Sequence, residues 1–203
     1  ERAGMELPET DYSAEDRKDR DIKTRLLEIN KIAATYYYHQ LKSEAGKSGL
    51  DYLVKRGLSD KTINSFGLGY APQSTGELYR MLKDKGYDDG ILKESGLFTY
   101  EKGVRDKFWN RVIFPIMDIN NKVIGFGGRV MGDAKPKYLN SPETKLFDKS
   151  RNLYGLNAAR TARKNNLIIC EGYMDVISLH QAGFTQAVAS LGTALTPGHA
   201  RLM

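Results

Sequence analysis

Residues 165–177, with the sequence NNLIICEGYMDVI, constrain the fold of this chain more than any other segment. The four consecutive apolar residues 167–170 lie between Asn-Asn and Glu-Gly, a pattern typical of a short strand buried on both faces. Glu171 ends this strand, and a helical pattern follows from Asp175. Open α/β sheets bind ligands at the carboxyl ends of their strands. The spacing alone leaves two interpretations: Glu171 and Asp175 belong to a metal or catalytic site, or they are a strand-end acid and a helix N-cap.

A second apolar strand, residues 187–190, follows the predicted helix of residues 175–182 after a short link. Thr196 and Pro197 then provide a helix N-cap and a proline at the first helical position. Strand, helix, strand and helix joined by such short links predict a parallel, right-handed βαβ unit. We expect this unit to be the first part of a larger α/β sheet, because the last predicted helix extends only to residue 203.

Composition excludes several classes of protein. The one cysteine, Cys170, lies in the first of these strands and is expected to be a small buried side chain. An intrachain disulfide is therefore impossible, and the Cys and His residues form no motif for structural zinc. No apolar run reaches the roughly 18–20 residues of a membrane-spanning helix, and no secretory leader is recognised. We expect a cytoplasmic protein without membrane contact.

Positive charge is concentrated in the segment that precedes the Glu171 strand. Residues 102–164 contain fourteen Lys or Arg and five Asp or Glu, whereas residues 1–30 contain nine acids and six bases. The net charge of the whole chain is +6. This distribution indicates a polyanionic partner for the middle of the chain.

The N-terminal half has a mainly helical pattern. Residues 1–20 are polar and acidic, and we interpret them as a linker or tail. Apolar residues at helical spacing predict a long amphipathic helix over residues 21–42. After a break at residues 46–49, several short helices are predicted, one ended by Gly57 and the next capped by Ser59.

Beyond residue 97 the pattern becomes β. Residues 112–119 and 122–130 are predicted to form a hairpin around an Asn-Asn turn. Glycines crowd the second strand and have two interpretations: β-bulges, or a strand over which another backbone, such as that of a nucleic acid, passes closely. Residues 131–150 are predicted to be a loop whose Lys, Tyr, Asn and Ser side chains suit contacts to phosphates and bases.

Several motifs together resemble one family. EGYMDVI at 171–177, followed by AVASLGTALTPGH at 187–199, resembles the toprim domain of bacterial-type DNA primases, although toprim domains also occur in topoisomerases and some nucleases. Upstream motifs resemble the primase polymerase core and its N-terminal subdomain: DYLVKRGLS at 51–59, GLGYAP at 67–72, RDKFWNRVIFPIMD at 105–118, IGFGGRV at 124–130, PKYLNSPET at 136–144 and FDKSRNLYG at 147–155. On these motifs the chain is identified as a member of the bacterial replicative primase family.

This resemblance implies the fold and the domain organisation. An α+β N-terminal subdomain, with mixed helices, antiparallel strands and a basic face, is expected over residues 21–150. The first half of an α/β toprim domain, a parallel βαβ unit, is expected over residues 151–203. Residues 1–20 remain a linker or tail.

The resemblance also implies an activity: synthesis of an RNA primer on a single-stranded DNA template from ribonucleoside triphosphates, by nucleotidyl transfer that depends on Mg²⁺ or Mn²⁺. Glu171 matches the toprim glutamate, a catalytic metal ligand, and Asp175 matches a supporting acid of the same motif. Six basic residues match positions linked to template, primer or nucleotide, the last two less closely: Arg56, Arg129, Lys137, Lys149, Arg105 and Arg111. These residue types suit the chemistry, because Mg²⁺ prefers oxygen ligands and Arg and Lys bind phosphate.

Three parts of the family pattern are not found in this sequence: the third toprim strand with its Asp-x-Asp pair, the zinc-binding domain and the helicase-binding domain. The metal site is therefore expected to be incomplete, and the chain by itself is expected to be an inactive monomer. Zinc and the replicative helicase are expected to bind only those other domains. The alternatives are a toprim topoisomerase, which would need a nucleophilic tyrosine, and a non-catalytic toprim module that binds DNA or partner proteins.

Overall fold

Helix α1 (Ala14–Leu41) is the first element of the structure, a computed structural model that describes residues 14–74, 76–101 and 103–203. Its buried face confirms the predicted amphipathic helix. It begins at Ala14 rather than at residue 21, because the Ala, Glu, Arg and Lys of this polar segment favour helix and acids occupy the first turn. Residues 1–13, the rest of the predicted linker or tail, lie outside the described residues. No helix within the described ranges is long and apolar enough to span a membrane.

Four short helices follow: α2 (Lys47–Lys55), α3 (Asp60–Ser65), α4 (Glu77–Asp84) and α5 (Asp89–Glu94). Gly57 has a φ of +82° beyond α2, and the Ser59 side chain accepts a hydrogen bond from a backbone N–H of α3, so the predicted helix end and N-cap are confirmed. The predicted break over residues 46–49 is wrong, because α2 already begins at Lys47. Gly49 serves packing instead: a Cβ atom there would lie 2.7 Å from Cδ2 of Tyr70.

Six strands lie in the middle of the chain: β1 (Gly69–Ala71), β2 (Phe98–Thr99), β3 (Arg105–Asp106), β4 (Arg111–Met117), β5 (Val123–Val130) and β6 (Tyr138–Asn140). Four of them form an antiparallel sheet in the order β1-β4-β5-β6, and β2 and β3 form a separate pair. The predicted hairpin is confirmed as β4 and β5. The loop predicted over residues 131–150 is wrong at β6. The residues of β6 have no apolar alternation that would indicate a strand, but their backbone groups pair with those of β5.

Both faces of this sheet are covered. On one face, Phe126 packs with Tyr37 of α1, with ring centroids 5.5 Å apart. On the other face, Phe114 belongs to a core that also contains Tyr173 and Ala189 from the C-terminal part of the chain. The sheet is therefore the layer on which the C-terminal part packs.

The C-terminal part is the predicted parallel βαβ unit, preceded by a short helix: α6 (Leu156–Ala159), β7 (Ile168–Cys170), α7 (Tyr173–Gln181), β8 (Ala187–Ala189) and α8 (Pro197–Ala200). Strands β7 and β8 are parallel, with Cys170 opposite Ala189. The prediction that the first strand is buried on both faces is wrong, since Ile169 is 44% exposed and Cys170 is only partly buried. Within the described residues, β8 is the only strand that neighbours β7.

Candidate functional site

Two carboxylates lie at the carboxyl end of β7. Glu171 follows the strand directly, and Asp175 lies in the first turn of α7. The N-cap of α7 is Gly172, so the interpretation of Asp175 as an N-cap is wrong. Both carboxylates are exposed, and neither makes a hydrogen bond or an ion pair with another described residue. Burial of the Cys170 thiol, and secondly the negative charge of Asp175, raise the pKa of Cys170.

These carboxylates fit a divalent cation in chemical type. Mg²⁺ and Mn²⁺ prefer oxygen ligands, and both carboxylates are free to supply them. Two side chains do not fill an octahedral shell, and within the described ranges no group of three or more His, Cys, Asp or Glu could hold a metal ion. Glu171 and Asp175 are therefore a partial ligand set.

A basic and aromatic surface lies at the end of the four-stranded sheet. The Arg129 guanidinium on β5 lies 4.1 Å from the centroid of the Tyr52 ring on α2, a cation–π contact. Tyr138 of β6 is opposite Arg129 in the register and is 43% exposed. Partial burial raises the pKa of the Tyr138 phenol, and the positive charges of Arg129 and Arg56 act in the opposite direction. We call Tyr52, Arg56, Arg129 and Tyr138 the basic surface.

The other predicted basic residues lie in different surroundings. Lys137 is exposed and immediately precedes Tyr138. Arg105 is exposed on β3, outside the four-stranded sheet. Arg111 is only 5% exposed, and its guanidinium donates hydrogen bonds to the carbonyl oxygens of Gly128, Lys137 and Pro136, the last at 2.9 Å. Burial lowers the pKa of Arg111. Its position suggests a role in holding the backbone around Lys137 rather than in contacting a ligand.

Lys149 belongs to a short 3-10 turn that packs against α8. Its carbonyl oxygen accepts a hydrogen bond of 2.7 Å from the buried His199 ring, and its N–H donates to the Glu143 carboxylate. The Thr196 hydroxyl both caps α8 and donates to the carbonyl of the residue after Lys149. The predicted N-cap at Thr196 is thus confirmed, and it fixes the Lys149 backbone beside the helix that follows β8.

The glycines of β5 leave room for aromatic side chains. A Cβ atom at position 127 would lie 2.5 Å from Cζ of Tyr173, and one at position 128 would lie 2.8 Å from Phe108. Ile116 pairs with Gly125 and Met117 with Val123, so Ile124 of β5 has no partner and β5 carries a bulge beside Gly125. The interpretation of a bulged strand is therefore confirmed at Gly125. The close passage of another backbone is wrong at Gly127 and Gly128, where side chains of this chain fill the space.

Sequence analysis missed two residues that join the acidic and basic parts of the site. The hydroxyl of Tyr173, on α7, donates a hydrogen bond of 2.7 Å to Oδ1 of Asn140 on β6. Nδ2 of Asn140 donates one of 2.9 Å to the carbonyl oxygen of Leu191, just beyond β8. The sequence signal for the Tyr173 contact was Gly127, because a glycine within a strand indicates that another group lies close to it but does not identify that group.

Comparisons with known proteins agree with this geometry. The family described as "DNA primase catalytic core, N-terminal domain" matches residues 36–160, and the toprim domain family matches residues 165–203. A DNA primase of Clostridium acetobutylicum is 50% identical over 188 residues, which are 92% of this chain and 31% of the relative. A DNA primase of Deinococcus radiodurans is 48% identical over an alignment of 208 positions, which covers 100% of this chain and 34% of the relative. The chain thus spans about a third of the length of these curated relatives.

A solved structure of the DnaG primase catalytic domain bound to ssDNA has the same fold, with a TM-score of 0.85 and 40% identity. The similarity covers 92% of this chain and 58% of that one. The expected α+β part followed by part of a toprim domain is confirmed. Since the first family matches more than half of the 203 residues, this chain belongs to the DNA primase catalytic core family.

Proposed function

We propose that the protein containing this chain synthesises RNA primers on single-stranded DNA from ribonucleoside triphosphates. One observation carries the proposal: Tyr173, two residues from each of the two free carboxylates, is hydrogen-bonded to Asn140, which lies two residues after Tyr138 of the basic surface. The names of the curated relatives and the ssDNA bound to a similar catalytic domain support it. The comparisons do not favour a topoisomerase.

In this proposal the basic surface binds the template and the growing primer. Arg129 and Arg56 contact phosphates, because a guanidinium forms paired, charge-assisted hydrogen bonds to phosphate oxygens. Lys137 adds a point charge beside them. The half-exposed ring of Tyr138 offers a face on which a base can stack, a contact that tolerates any template sequence. Lys149, on the side of the parallel strands, binds the nucleotide.

Glu171 and Asp175 are the residues that would hold a divalent cation, Mg²⁺ or Mn²⁺. When bound, the cation stabilises the negative charge that develops during phosphoryl transfer. No basic side chain competes for either carboxylate among the described residues, so both oxygens of each remain available. A replicative helicase as partner and a cytoplasmic location are further proposals that rest on the family.

The test is Glu171→Gln in the full-length protein, which keeps the shape of the side chain and removes its charge. Primer synthesis should fall by about 10²-fold or more, because Lewis-acid stabilisation is worth several kcal/mol. The affinity for single-stranded DNA should not fall, since a negative charge is removed. Glu44→Gln, at an exposed acid in a turn after α1, is the matched control and should leave both unchanged.

Normal priming by Glu171→Gln would show that Glu171 does not hold a catalytic metal ion, as expected for a toprim module that only binds DNA or proteins. A native full-length protein that makes no primers would contradict the proposed function. Relaxation of supercoiled DNA by the native protein would instead support the topoisomerase alternative.

A further inference from the structure

The Tyr173 side chain packs closely against the four-stranded sheet, which carries part of the basic surface. It is the first residue of α7, two positions after Glu171, and it is only 7% exposed. Its ring stacks on Phe114, with centroids 5.0 Å apart and planes 6° from parallel, and meets Tyr154 edge-on at 4.7 Å. It reaches this depth because position 127 has no Cβ atom. Any lateral shift of the start of α7 would drive the ring against its neighbours.

Asn140 extends this contact into a bridge. The Asn140 side chain accepts a hydrogen bond from the Tyr173 hydroxyl and donates one to the Leu191 carbonyl oxygen, so it contacts the segments that follow both β7 and β8. The Leu191 carbonyl oxygen can only accept a hydrogen bond, so the amide nitrogen of Asn140 faces Leu191 and its amide oxygen faces the Tyr173 hydroxyl. Asn140 itself ends β6, two residues after Tyr138, and is opposite Gly127 in the register. The bridge therefore joins β6, which carries Tyr138 of the basic surface, to the segments that follow β7 and β8, and the first of these segments contains Glu171.

We infer that Asn140 and Tyr173 are positioning residues for primer synthesis: they fix Glu171 relative to the basic surface, and neither touches the reacting atoms. This inference rests on the function proposed above. In that function, a template bound to the basic surface has to place the growing end of the primer next to Glu171 and Asp175. A displacement of about 1 Å between such parts costs on the order of 10²-fold in rate. A hydroxyl that only stabilised the fold would affect unfolding and leave the turnover of the folded protein unchanged.

The first experiment is Tyr173→Phe in the full-length protein, which removes the hydroxyl and keeps the stacked ring. We expect kcat for primer synthesis to fall about tenfold, with the dissociation constant for single-stranded DNA changed by less than about twofold. The Mg²⁺ concentration for half-maximal rate should rise. Tyr36→Phe is the matched control, because the Tyr36 hydroxyl also donates to a side chain, Glu77, at 2.9 Å. It should lower the melting temperature to a similar extent without changing kcat.

The second experiment is a double-mutant cycle with Asn140→Ala. This variant loses both bonds, so its kcat should fall further than that of Tyr173→Phe. Adding Tyr173→Phe to Asn140→Ala should then cost almost nothing more, because the hydroxyl has already lost its acceptor. Full additivity of the two losses in kcat would overturn the inference, and so would a Tyr173→Phe variant that behaves like Tyr36→Phe.

The Glu171→Gln variant and the native protein separate failure of this inference from failure of the proposed function. If Glu171→Gln abolishes priming while Tyr173→Phe keeps its full kcat, only the positioning role is wrong. If Glu171→Gln primes normally, the proposed role of Glu171 is wrong, and the positioning role falls with it. If the native full-length protein makes no primers, the proposed function itself is wrong.

Discussion

The antiparallel sheet and the parallel β7–β8 pair are both built from apolar strands, but their surroundings differ. In β4, Ile116 is completely buried, because α1 packs on one face of the sheet and the C-terminal part on the other. In β7, Ile169 is 44% exposed. An apolar strand therefore indicates burial only to the extent that other elements cover both of its faces.

The two regions also hold the residues of the proposed site differently. Arg129 is fixed by its contact with the Tyr52 ring and by a hydrogen bond to the Val130 carbonyl. Glu171 has no such partner among the described residues. Arg129 is thus held by contacts within the chain, whereas the oxygens of the Glu171 carboxylate are free to bind the proposed cation.

The largest expected effect tests the difference in burial directly. Ile116→Ala should lower the free energy of unfolding of this chain by about 2–5 kcal/mol, because it leaves a cavity in a covered sheet. Ile169→Ala makes the same truncation in β7 and should cost less than about 1 kcal/mol. Urea unfolding measures both. Equal losses would show that the outer face of β7 is covered in solution.

The next effect tests the contact between the two regions. Gly127→Ala should lower the free energy of unfolding by about 1–3 kcal/mol, since the new methyl group overlaps the Tyr173 ring. Gly125→Ala, in the same strand, is the matched control, because its Cβ atom would lie 3.3 Å from Phe147, a much milder contact. Urea unfolding again distinguishes them. If both variants are equally stable, the ring of Tyr173 does not occupy this position in solution.

The smallest expected effect separates the roles of the two regions. Arg129→Gln should weaken binding of single-stranded DNA severalfold and reduce the slope of log K against log salt by about 0.7, the value for one phosphate contact. Lys85→Gln, at an exposed cation beyond α4, is the control and should leave the slope unchanged. Fluorescence titrations from about 50 to 200 mM salt measure the slope. An unchanged slope for Arg129→Gln would remove Arg129 from the proposed DNA contacts.

Local patterns were enough to predict much of the fold. The amphipathic α1, the hairpin of β4 and β5, the cap at Ser59 and the parallel unit all follow from periodicity and capping, which depend on neighbours a few residues away. The strand β6 was missed because its pattern is not apolar, and it exists because β5 needs a partner for its backbone. The early start of α1 was missed because a polar segment can be helical.

At the site, the sequence by itself determined the types of residue that the chemistry needs: the acids Glu171 and Asp175 after a strand, and a basic segment before them. Only the tertiary structure decided that Arg111 is buried against carbonyl oxygens and that Tyr173 occupies the space above Gly127. It also decided that Asn140 bridges two strand ends. These contacts join residues far apart in the chain, and their geometry depends on how whole layers pack, which no local pattern encodes.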